Sequence, residues 1–156
     1  MATLAIELFR GPRSELRPLF EQADDSSLQI AGYSELGQVL VVRDEQGLLG
    51  QAQLVVTAGG EWELKSLAVI EGQRGRGIGS ALVRAALARA FDAGAERVMV
   101  GTATADIDNL RFYQRRGFRL ERVEREAFTP ERGYRAGLES DGIPIRDRVW
   151  LSVSRA

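Results

Sequence analysis

A short run of glycines, placed between an apolar segment and an amphipathic one, constrains the fold of this chain more than any other feature. Residues 74–79 read Arg-Gly-Arg-Gly-Ile-Gly, the apolar segment Trp62–Ile70 predicts a strand, and residues 77–92 predict a helix. The apolar face of that helix is made by Leu82, Val83, Ala86, Leu87, Ala90 and Phe91. A second apolar strand is predicted at Arg97–Thr104. Such a strand–helix–strand unit forms a right-handed crossover between parallel strands.

The remaining segments predict a sheet built around this unit. Further strands are predicted at Thr3–Arg10, Gln38–Arg43, Leu48–Thr57, Phe118–Glu126 and Arg148–Val153. Further helices are predicted at Ser14–Ala23 and from Asp106 or Asp108 to Arg116, with Gly117 as the stop. We expect residues 24–37 to be irregular and residues 127–146 to form a long loop, a feature that is often functional. A single α/β domain over residues 1–156, with a mixed sheet and helices on both of its faces, accommodates this order.

The composition excludes several classes of site and partner. The 156 residues include neither cysteine nor histidine, which removes disulfides, thiolate metal sites and histidine-based catalysis, so no metal site is predicted. With 21 basic and 22 acidic residues and no basic stripe, the chain is not expected to bind nucleic acid. No stretch approaches the roughly 18 apolar residues that span a membrane, and the apolar run at the N-terminus is too short for a signal peptide. We therefore expect a cytoplasmic protein with no membrane partner.

The glycine run predicts an anion site. Glycine lets the backbone turn sharply and lets a ligand approach closely, and the first N–H groups of a helix have no partner within it. Phosphate or pyrophosphate suits such a helix start best. The run lacks the lysine of a P-loop, since Ser80 follows Gly79 directly. A dinucleotide fingerprint over Gly75, Gly77 and Ser80 has the wrong third residue. A turn that merely packs the helix on the sheet is a further alternative.

Another pattern fits this segment better. The spacing Arg/Gln-x-x-Gly-x-Gly/Ala is met by Arg74, Gly77 and Gly79, and it resembles the coenzyme A signature of the GNAT superfamily of N-acetyltransferases. In that family the signature follows the fourth strand, which often ends in Leu-Ala-Val, and precedes Asn-x-x-x-Tyr and Gly-Phe. The matching residues are Leu67, Ala68 and Val69 before the signature, and Asn109, Tyr113, Gly117 and Phe118 after it. The motifs cover residues 63–118, and residues 141–147 also resemble an uncharacterised bacterial branch of the family.

The resemblance implies a fold, an activity and a cofactor site. The sheet would be mostly antiparallel with about seven strands, and the chain would move an acetyl group from acetyl-CoA to a primary amine without a metal. The pantetheine arm would bond to the backbone of Leu67, Ala68 and Val69. The pyrophosphate would meet the amides of Arg74, Gly75, Arg76, Gly77, Ile78, Gly79 and Ser80. Asn109 would orient the pantetheine or the phosphates, or simply begin a helix.

The resemblance also implies catalytic residues. Tyr113 would be the general acid for the departing thiolate, unless it is only a core tyrosine. Glu63 lies four residues before Leu67, where the histone-type branch of the family has its base, although many relatives have no strong base and a surface role for Glu63 stays open. Strict alternation would place Glu63, Lys65 and Leu67 on one face of the strand, unless a bulge intervenes.

The acceptor pocket is expected from residues 24–37, the long loop and nearby strand ends. Aromatic and acidic side chains there suit a cationic amine, and the candidates are Tyr33, Glu35, Trp62, Tyr134 and Asp141. A small-molecule amine, a peptide N-terminus and a protein lysine all fit. Family members often form homodimers, but the sequence does not fix the oligomeric state. A non-catalytic acyl-CoA-binding or regulatory module and a nucleotide-dependent oxidoreductase are the alternatives to an enzyme of this family.

Overall fold

The computed structural model describes residues 4–156. Its strands are β1 (Ile6–Leu8), β2 (Gln38–Asp44), β3 (Gly47–Val56), β4 (Trp62–Val69), β5 (Arg97–Ala103), β6 (Arg119–Glu124), β7 (Glu139–Ser140), β8 (Ile143–Pro144) and β9 (Arg148–Ser154). Its α-helices are α1 (Arg17–Ala23), α2 (Ser27–Tyr33), α3 (Ile78–Asp92) and α4 (Ile107–Arg115). Short 3-10 turns lie at Arg13–Leu16 and Pro130–Arg132.

Seven strands form one sheet in the order β1-β2-β3-β4-β5-β9-β6, and β7 and β8 form a separate hairpin. All neighbours in the large sheet are antiparallel except β4 and β5, which run parallel and are joined through α3. A parallel pair requires such a crossover because a tight turn cannot join strands that run the same way. The predicted α/β class, with a mixed and mostly antiparallel seven-stranded sheet, is therefore confirmed.

The two faces of the sheet carry separate hydrophobic cores. Val39 of β2 packs in a cluster with Phe20 of α1 and Ile30 of α2. The next residue, Leu40, packs in the larger cluster that contains Leu82 of α3 and part of α4. Successive side chains of a strand point to opposite faces, so β2 contributes to both cores. The helices accordingly cover both faces, as the sequence predicts.

The prediction that residues 24–37 are irregular is wrong, because α2 occupies the centre of this segment. The Ser26 hydroxyl accepts a hydrogen bond from the Gln29 N–H at 3.1 Å, which caps the helix. Ile30 and Tyr33, three residues apart, bury their side chains on one face. The helix is only two turns long, and its polar neighbours conceal this short apolar face in the sequence.

Other predicted boundaries shift for local reasons. The helix predicted at Ser14–Ala23 begins as a 3-10 turn and becomes α1 at Arg17, where Pro18 occupies the first turn, the place in a helix that tolerates proline. The long loop predicted at 127–146 contains a 3-10 turn and the β7–β8 hairpin. The first predicted strand is found at Ile6–Leu8, and Thr3 lies outside the described residues.

Candidate active site

Strands β4 and β5 pair over a short stretch and then separate. The parallel pairing involves only Trp62 and Glu63 of β4, although the strand continues to Val69. The separation opens a cleft of about 980 Å³, and Leu67, Ala68 and Val69 line it. Unpaired N–H and C=O groups on a strand edge can hydrogen-bond an extended ligand, so this edge of β4 offers a site for one.

Helix α3 begins at this cleft with free backbone donors. Its N-cap is Gly77, at φ 80° and ψ 8°, and no side chain from the described residues 4–156 caps it. The first helical hydrogen bond runs from the Ala81 N–H to the Gly77 carbonyl at 3.0 Å. The N–H groups of Ile78, Gly79 and Ser80 therefore have no partner within the helix. These three residues line the cleft, and the helix dipole adds partial positive charge there. The arrangement suits a phosphate group.

Two different physical reasons favour glycine at the positions of this turn. A Cβ added to Gly75 or Gly77 would meet no atom within 4 Å, but both have positive φ, at 82° and 80°. Their lack of a side chain keeps the backbone bare where a ligand can approach. A Cβ on Gly79 would lie 3.4 Å from the Phe112 ring of α4. Gly79 thus lets α3 and α4 pack closely, so part of the alternative interpretation, a packing turn, applies to this residue.

Arginines surround the same end of the cleft. Arg74 Nε donates to the Val69 carbonyl at 3.2 Å, and Arg76 donates to Gln73. Three more arginines from α4 and its C-terminal end line the cleft: Arg111, Arg115 and Arg116. Arg76, a predicted cofactor-binding residue, does not line the cleft, unlike the rest of its segment. We call residues 73–80 other than Arg76, together with these three arginines, the glycine end of the cleft. Its guanidinium groups and free amides make it suited to a ligand with several negative charges.

Tyr113 lies in the wall of the cleft between β5 and α3. Its side chain is buried, and its ring packs edge-on against Phe112 and Phe118, with centroids 5.2 Å and 5.5 Å away. Within residues 4–156 the Tyr113 hydroxyl has no hydrogen-bond partner, although the residue lines the cleft. Burial, and to a smaller extent the charge of Asp106, raises the pKa of this phenol above its usual value of 10. The side chain therefore keeps its proton at neutral pH.

Asn109 precedes Tyr113 by one turn and also lines the cleft. Its N–H donates to the Asp106 carboxylate at 3.0 Å, which makes Asp106, rather than Asp108, the cap of α4. Its side-chain amide donates to Thr102 Oγ1 of β5 at 3.2 Å. Asn109 thus ties α4 to the strand that forms the far wall of the cleft, and this holds Tyr113 in position.

A bulge at Lys65 changes which side chains of β4 share a face. Gln53 of β3 pairs with Ser66, whereas the next residue of β3 pairs with Leu64, so Lys65 has no partner on β3. Leu64 and Leu67 consequently both pack against the larger core. The expected common face therefore fails for Leu67 and holds for Lys65 and Glu63, whose Nζ and Oε2 atoms lie 3.8 Å apart.

Three residues from distant parts of the chain meet at the opposite end of the cleft. The Asp24 carboxylate accepts hydrogen bonds from the Tyr33 hydroxyl at 3.0 Å, from the Tyr134 hydroxyl at 2.9 Å and from the Ser26 N–H at 3.0 Å. Burial, followed by the negative charge of Asp24, raises the pKa of both phenols above 10. The aspartate end of the cleft consists of Asp24, Asp25, Tyr33, Glu63, Lys65 and Tyr134. Glu63 and Val69 are six residues apart on β4, so the two ends are separated by roughly 15–20 Å.

An ion-paired group borders the aspartate end. Arg148 stacks its guanidinium 4.9 Å from the centroid of Phe128 and contacts the Glu124 carboxylate at 3.3 Å. Trp150 Nε1 donates to Glu124 at 3.0 Å, and Arg132 pairs with the same carboxylate at 2.8 Å. Burial alone would raise the pKa of Glu124, but these hydrogen bonds and charges outweigh it and lower the pKa below its usual value. The cleft thus has a fixed wall built from the C-terminal third of the chain.

The structure brings together some of the predicted acceptor residues and not others. Tyr33 and Tyr134 line the cleft. Trp62 does not, because its side chain lies on the opposite face of β4 from that of Glu63, where it packs against the larger core and borders a small separate cavity with Leu36 and Val55. Glu35 is an exposed residue of the turn after α2, and Asp141 is exposed at the tip of the β7–β8 hairpin. Placing Glu35, Trp62 and Asp141 in the acceptor pocket is therefore wrong.

Sequence reasoning also missed residues of the site. Asp24 organises the aspartate end, and Arg148 and Trp150 line it. Asp24 starts a Asp-Asp-Ser-Ser run, which is a helix-cap signature that could have placed it at a junction of two helices. No comparable signal marks Arg148 or Trp150, because both lie in a strand and their place at the cleft depends on the sheet order.

Neither a membrane-spanning helix nor a metal-binding cluster is present in the described part of the chain. Within residues 4–156, no helix combines the length and the apolar character needed to cross a bilayer. Over the same residues, no group of three or more acidic side chains gathers as ligands for a metal ion.

Comparison with known proteins shows which family this chain resembles. Residues 5–118 match the sequence profile of the acetyltransferase (GNAT) family. The uncharacterized N-acetyltransferase YvbK of Bacillus subtilis is 32% identical over 151 residues, which cover 97% of this chain and 96% of that protein. A Bacillus subtilis acetyltransferase solved in complex with CoA superposes with a TM-score of 0.88 at 30% identity, covering 99% of this chain and 100% of the other.

A second solved structure agrees in fold. A GNAT family acetyltransferase from Elizabethkingia anophelis, solved with acetyl-CoA bound, has a TM-score of 0.88 at 22% identity and covers 97% of this chain and 98% of that one. The family profile matches well over half of the 156 residues, and the YvbK alignment extends over nearly all of them. The chain therefore belongs to the GNAT family and is an acetyl-CoA-dependent acetyltransferase.

Proposed function

We propose that this protein transfers an acetyl group from acetyl-CoA to the primary amine of a small molecule or peptide, with Tyr113 as general acid and Glu63 as base. One observation carries the proposal: the unpaired edge of β4 leads directly to the free amides at the start of α3. An extended chain that ends in a diphosphate matches this sequence of donors and acceptors. The aspartate end would take the acceptor.

The residues of the glycine end fit coenzyme A. The open space beside Gly75 and Gly77 leaves room for phosphate oxygens against the backbone. The amides of Ile78, Gly79 and Ser80 would hold the pyrophosphate, with Arg74 and the neighbouring α4 arginines as counter-charges. Leu67, Ala68 and Val69 would hold the pantetheine arm by their backbone groups. Acetyl-CoA, when bound, supplies an electrophilic thioester carbonyl and a thiol leaving group.

Tyr113 would protonate the leaving sulfur. A buried phenol with a raised pKa stays protonated at neutral pH, so the donor is in the correct state. The same burial that raises the pKa of a phenol also raises that of a thiol. The cleft therefore does not widen the difference in pKa between the Tyr113 hydroxyl and the departing thiol. The absence of a competing hydrogen bond on the Tyr113 hydroxyl within residues 4–156 leaves it free to donate.

Glu63 would accept the proton that the amine must lose. An alkyl amine with a pKa near 10.4 is almost wholly protonated at pH 7, and supplying its neutral form costs about 4–5 kcal/mol at about 1.36 kcal/mol per pH unit. A carboxylate in the cleft lowers this cost by taking the proton, directly or through water. The Glu63 side chain is only 12% exposed and lies at the aspartate end, which supports the role.

The experiment for the overall proposal is a panel of primary amines mixed with acetyl-CoA and the purified protein, read out by release of the free thiol. Acetylation of at least one amine, confirmed by mass spectrometry of the product, is the expected result. Calorimetric titration with CoA should show binding in the absence of an amine. Absence of CoA binding would refute the proposal at its foundation.

The base has its own test. Glu63→Gln should keep CoA binding and lower the rate most strongly near neutral pH, with the deficit shrinking as the pH approaches the pKa of the amine, because the substrate then loses its proton unaided. A rate–pH profile identical in shape to that of the parent protein would remove Glu63 from the role of base.

A further inference from the structure

The chain's one lysine lies in the cleft. Lys65 is the only lysine among the 156 residues, and all 20 other basic residues are arginines. Its Nζ lies 3.8 Å from the Glu63 carboxylate and 4.9 Å from the centroid of the Tyr33 ring. The side chain is 28% exposed and lines the aspartate end. A primary ammonium group of the protein itself therefore occupies the region assigned above to the acceptor's ammonium group.

We propose that Lys65 is a site of self-acetylation: when no amine acceptor is bound, the protein acetylates the Nζ of its own Lys65. The inference rests on the proposed function, because acetyl-CoA is the donor. Glu63 takes a proton from the ammonium group, and the neutral Nζ forms a bond with the acetyl carbonyl carbon. The carbon–sulfur bond breaks, and the sulfur receives a proton from Tyr113. The nitrogen then loses its second proton, which returns through water to the Tyr113 oxygen. The products are an acetamide on Lys65, free coenzyme A, protonated Glu63 and neutral Tyr113, so atoms and charges balance.

The bulge makes this lysine available. Because Lys65 has no partner on β3, its side chain can move without disturbing the pairs on either side of it. It precedes Leu67, the first residue of the backbone edge proposed for the pantetheine arm, by two positions. A lysine side chain has four flexible methylene groups, which give it the reach to turn along the cleft toward that edge.

The other cations of the cleft cannot take this role. They all carry guanidinium groups, which remain protonated in proteins and are poor nucleophiles; these residues are Arg74, Arg111, Arg115, Arg116 and Arg148. Lysine loses its proton far more readily, and a carboxylate is already beside it. Lys65 is therefore the only side-chain amine in the sequence that can receive an acetyl group.

Acetylation of Lys65 would also alter the aspartate end. The positive charge would disappear, and with it the ion pair to Glu63 and the cation–π contact to Tyr33. The acetamide would occupy space that the acceptor requires. The modified protein should therefore acetylate added amines more slowly while retaining CoA binding, so that self-acetylation limits the enzyme when acceptor is scarce.

The test uses the full chain with acetyl-CoA and no amine. We expect the intact mass to rise by one acetyl group, and peptide mapping to place it on Lys65. The first-order rate constant for labelling should not depend on the protein concentration, because the reaction occurs within one molecule. It should be at least about tenfold faster than labelling of the same lysine in denaturant, where only uncatalysed chemistry acts. Lys65→Arg is the matched control, with its fold checked by thermal unfolding, and it should lose this label while keeping any label on the terminal amine.

The outcomes separate this inference from the proposed function. If added amines are acetylated but Lys65 remains unmodified, or is labelled no faster than in denaturant, self-acetylation is refuted and the proposed function stands. If neither an added amine nor Lys65 gains an acetyl group, both are refuted. Faster labelling of folded Lys65 that slows in Tyr113→Phe supports both.

Discussion

The two ends of the cleft are built on opposite principles. At the glycine end, residues 4–156 leave backbone groups without backbone partners: no side chain caps α3, and beyond Glu63 the strand β4 has no neighbour on its β5 side. At the aspartate end, almost every polar group already has one, since Asp24 holds two tyrosines and Lys65 pairs with Glu63. An end that presents backbone donors is ready for one fixed ligand, whereas an end that satisfies its own side chains must exchange partners when a ligand enters.

This difference predicts how mutations divide. Changes at the glycine end should affect cofactor binding, and changes at the aspartate end should affect use of the acceptor. Tyr113 lines the cleft but belongs to neither end, and its substitution should affect turnover without weakening either ligand.

The largest expected effect is that of Tyr113→Phe. Removal of the hydroxyl should lower kcat by about 10²–10³-fold, because a positioned general acid contributes on that order. The Kd for CoA should change by less than about twofold, since the ring still packs against Phe112 and Phe118. Stopped thiol-release assays and calorimetry measure the two quantities. An unchanged kcat would show that a group other than Tyr113 protonates the departing sulfur.

Gly77→Asp should damage only the glycine end. An aspartate at the N-cap would accept hydrogen bonds from the free amides and bring negative charge to the phosphate site, so the Kd for CoA should rise at least about tenfold, or about 1.4 kcal/mol. Gly72→Asp is the matched control, because Gly72 also has positive φ and open space around it but does not line the cleft. Equal weakening in both variants would assign the effect to backbone strain rather than to the anion site.

Asp24→Asn should damage only the aspartate end. Asp24 Oδ1 accepts from Tyr134 and from the Ser26 N–H, and Oδ2 accepts from Tyr33. An amide nitrogen in place of either oxygen cannot accept, so at least one of the two tyrosines should lose its fixed position. The KM for the acceptor should rise by about 3–10-fold, equivalent to about 1 kcal/mol for a weakened hydrogen bond, with the Kd for CoA unchanged. Asp25→Asn removes the same charge from the cleft without these bonds. If both variants behave alike, charge rather than position governs this end.

The smallest expected effect is that of Glu124→Gln on stability. The pKa of Glu124 is lowered in the folded state from its usual value of 4.5, so its stabilising contribution is present above that value and is lost as the pH falls through the lowered pKa. The variant should be less stable by about 0.5–1 kcal/mol at pH 7, and the difference should shrink below pH 4.5. Denaturant unfolding at several pH values measures it, and a difference that does not vary with pH would contradict the assignment.

The glycine end could be predicted from sequence because its parts are neighbours in the chain. Arg74 to Ser80 follow one strand and precede one helix, so backbone conformation and helix-start chemistry determine the site locally. The positions of the seven strands along the chain were also predictable, because alternation and turn residues mark most of them, whereas their order in the sheet was not predicted. The roles of Tyr113 and Glu63, and the extent of the single domain, stay predictions.

The aspartate end could not be predicted in the same way because its parts are far apart in sequence. Tyr134 reaches Asp24 across 110 positions, and no periodicity reports a contact of that range. The bulge at Lys65 likewise depends on pairing with β3, which a pattern within β4 alone does not reveal. Trp62 was misplaced for a different reason: its strand was predicted correctly, but its side chain lies on the face of β4 that packs against the larger core.

The extra residue in β4 also bears on how such enzymes diversify. Because Lys65 takes no cross-strand partner, its deletion would join Leu64 to Ser66 and leave every existing pair with β3 intact. Most strands lose their inside–outside order when a residue is removed, whereas this one would keep it. Natural selection can therefore add, exchange or discard a side chain at the acceptor end by a three-nucleotide change, while the segment that faces the cofactor keeps its register.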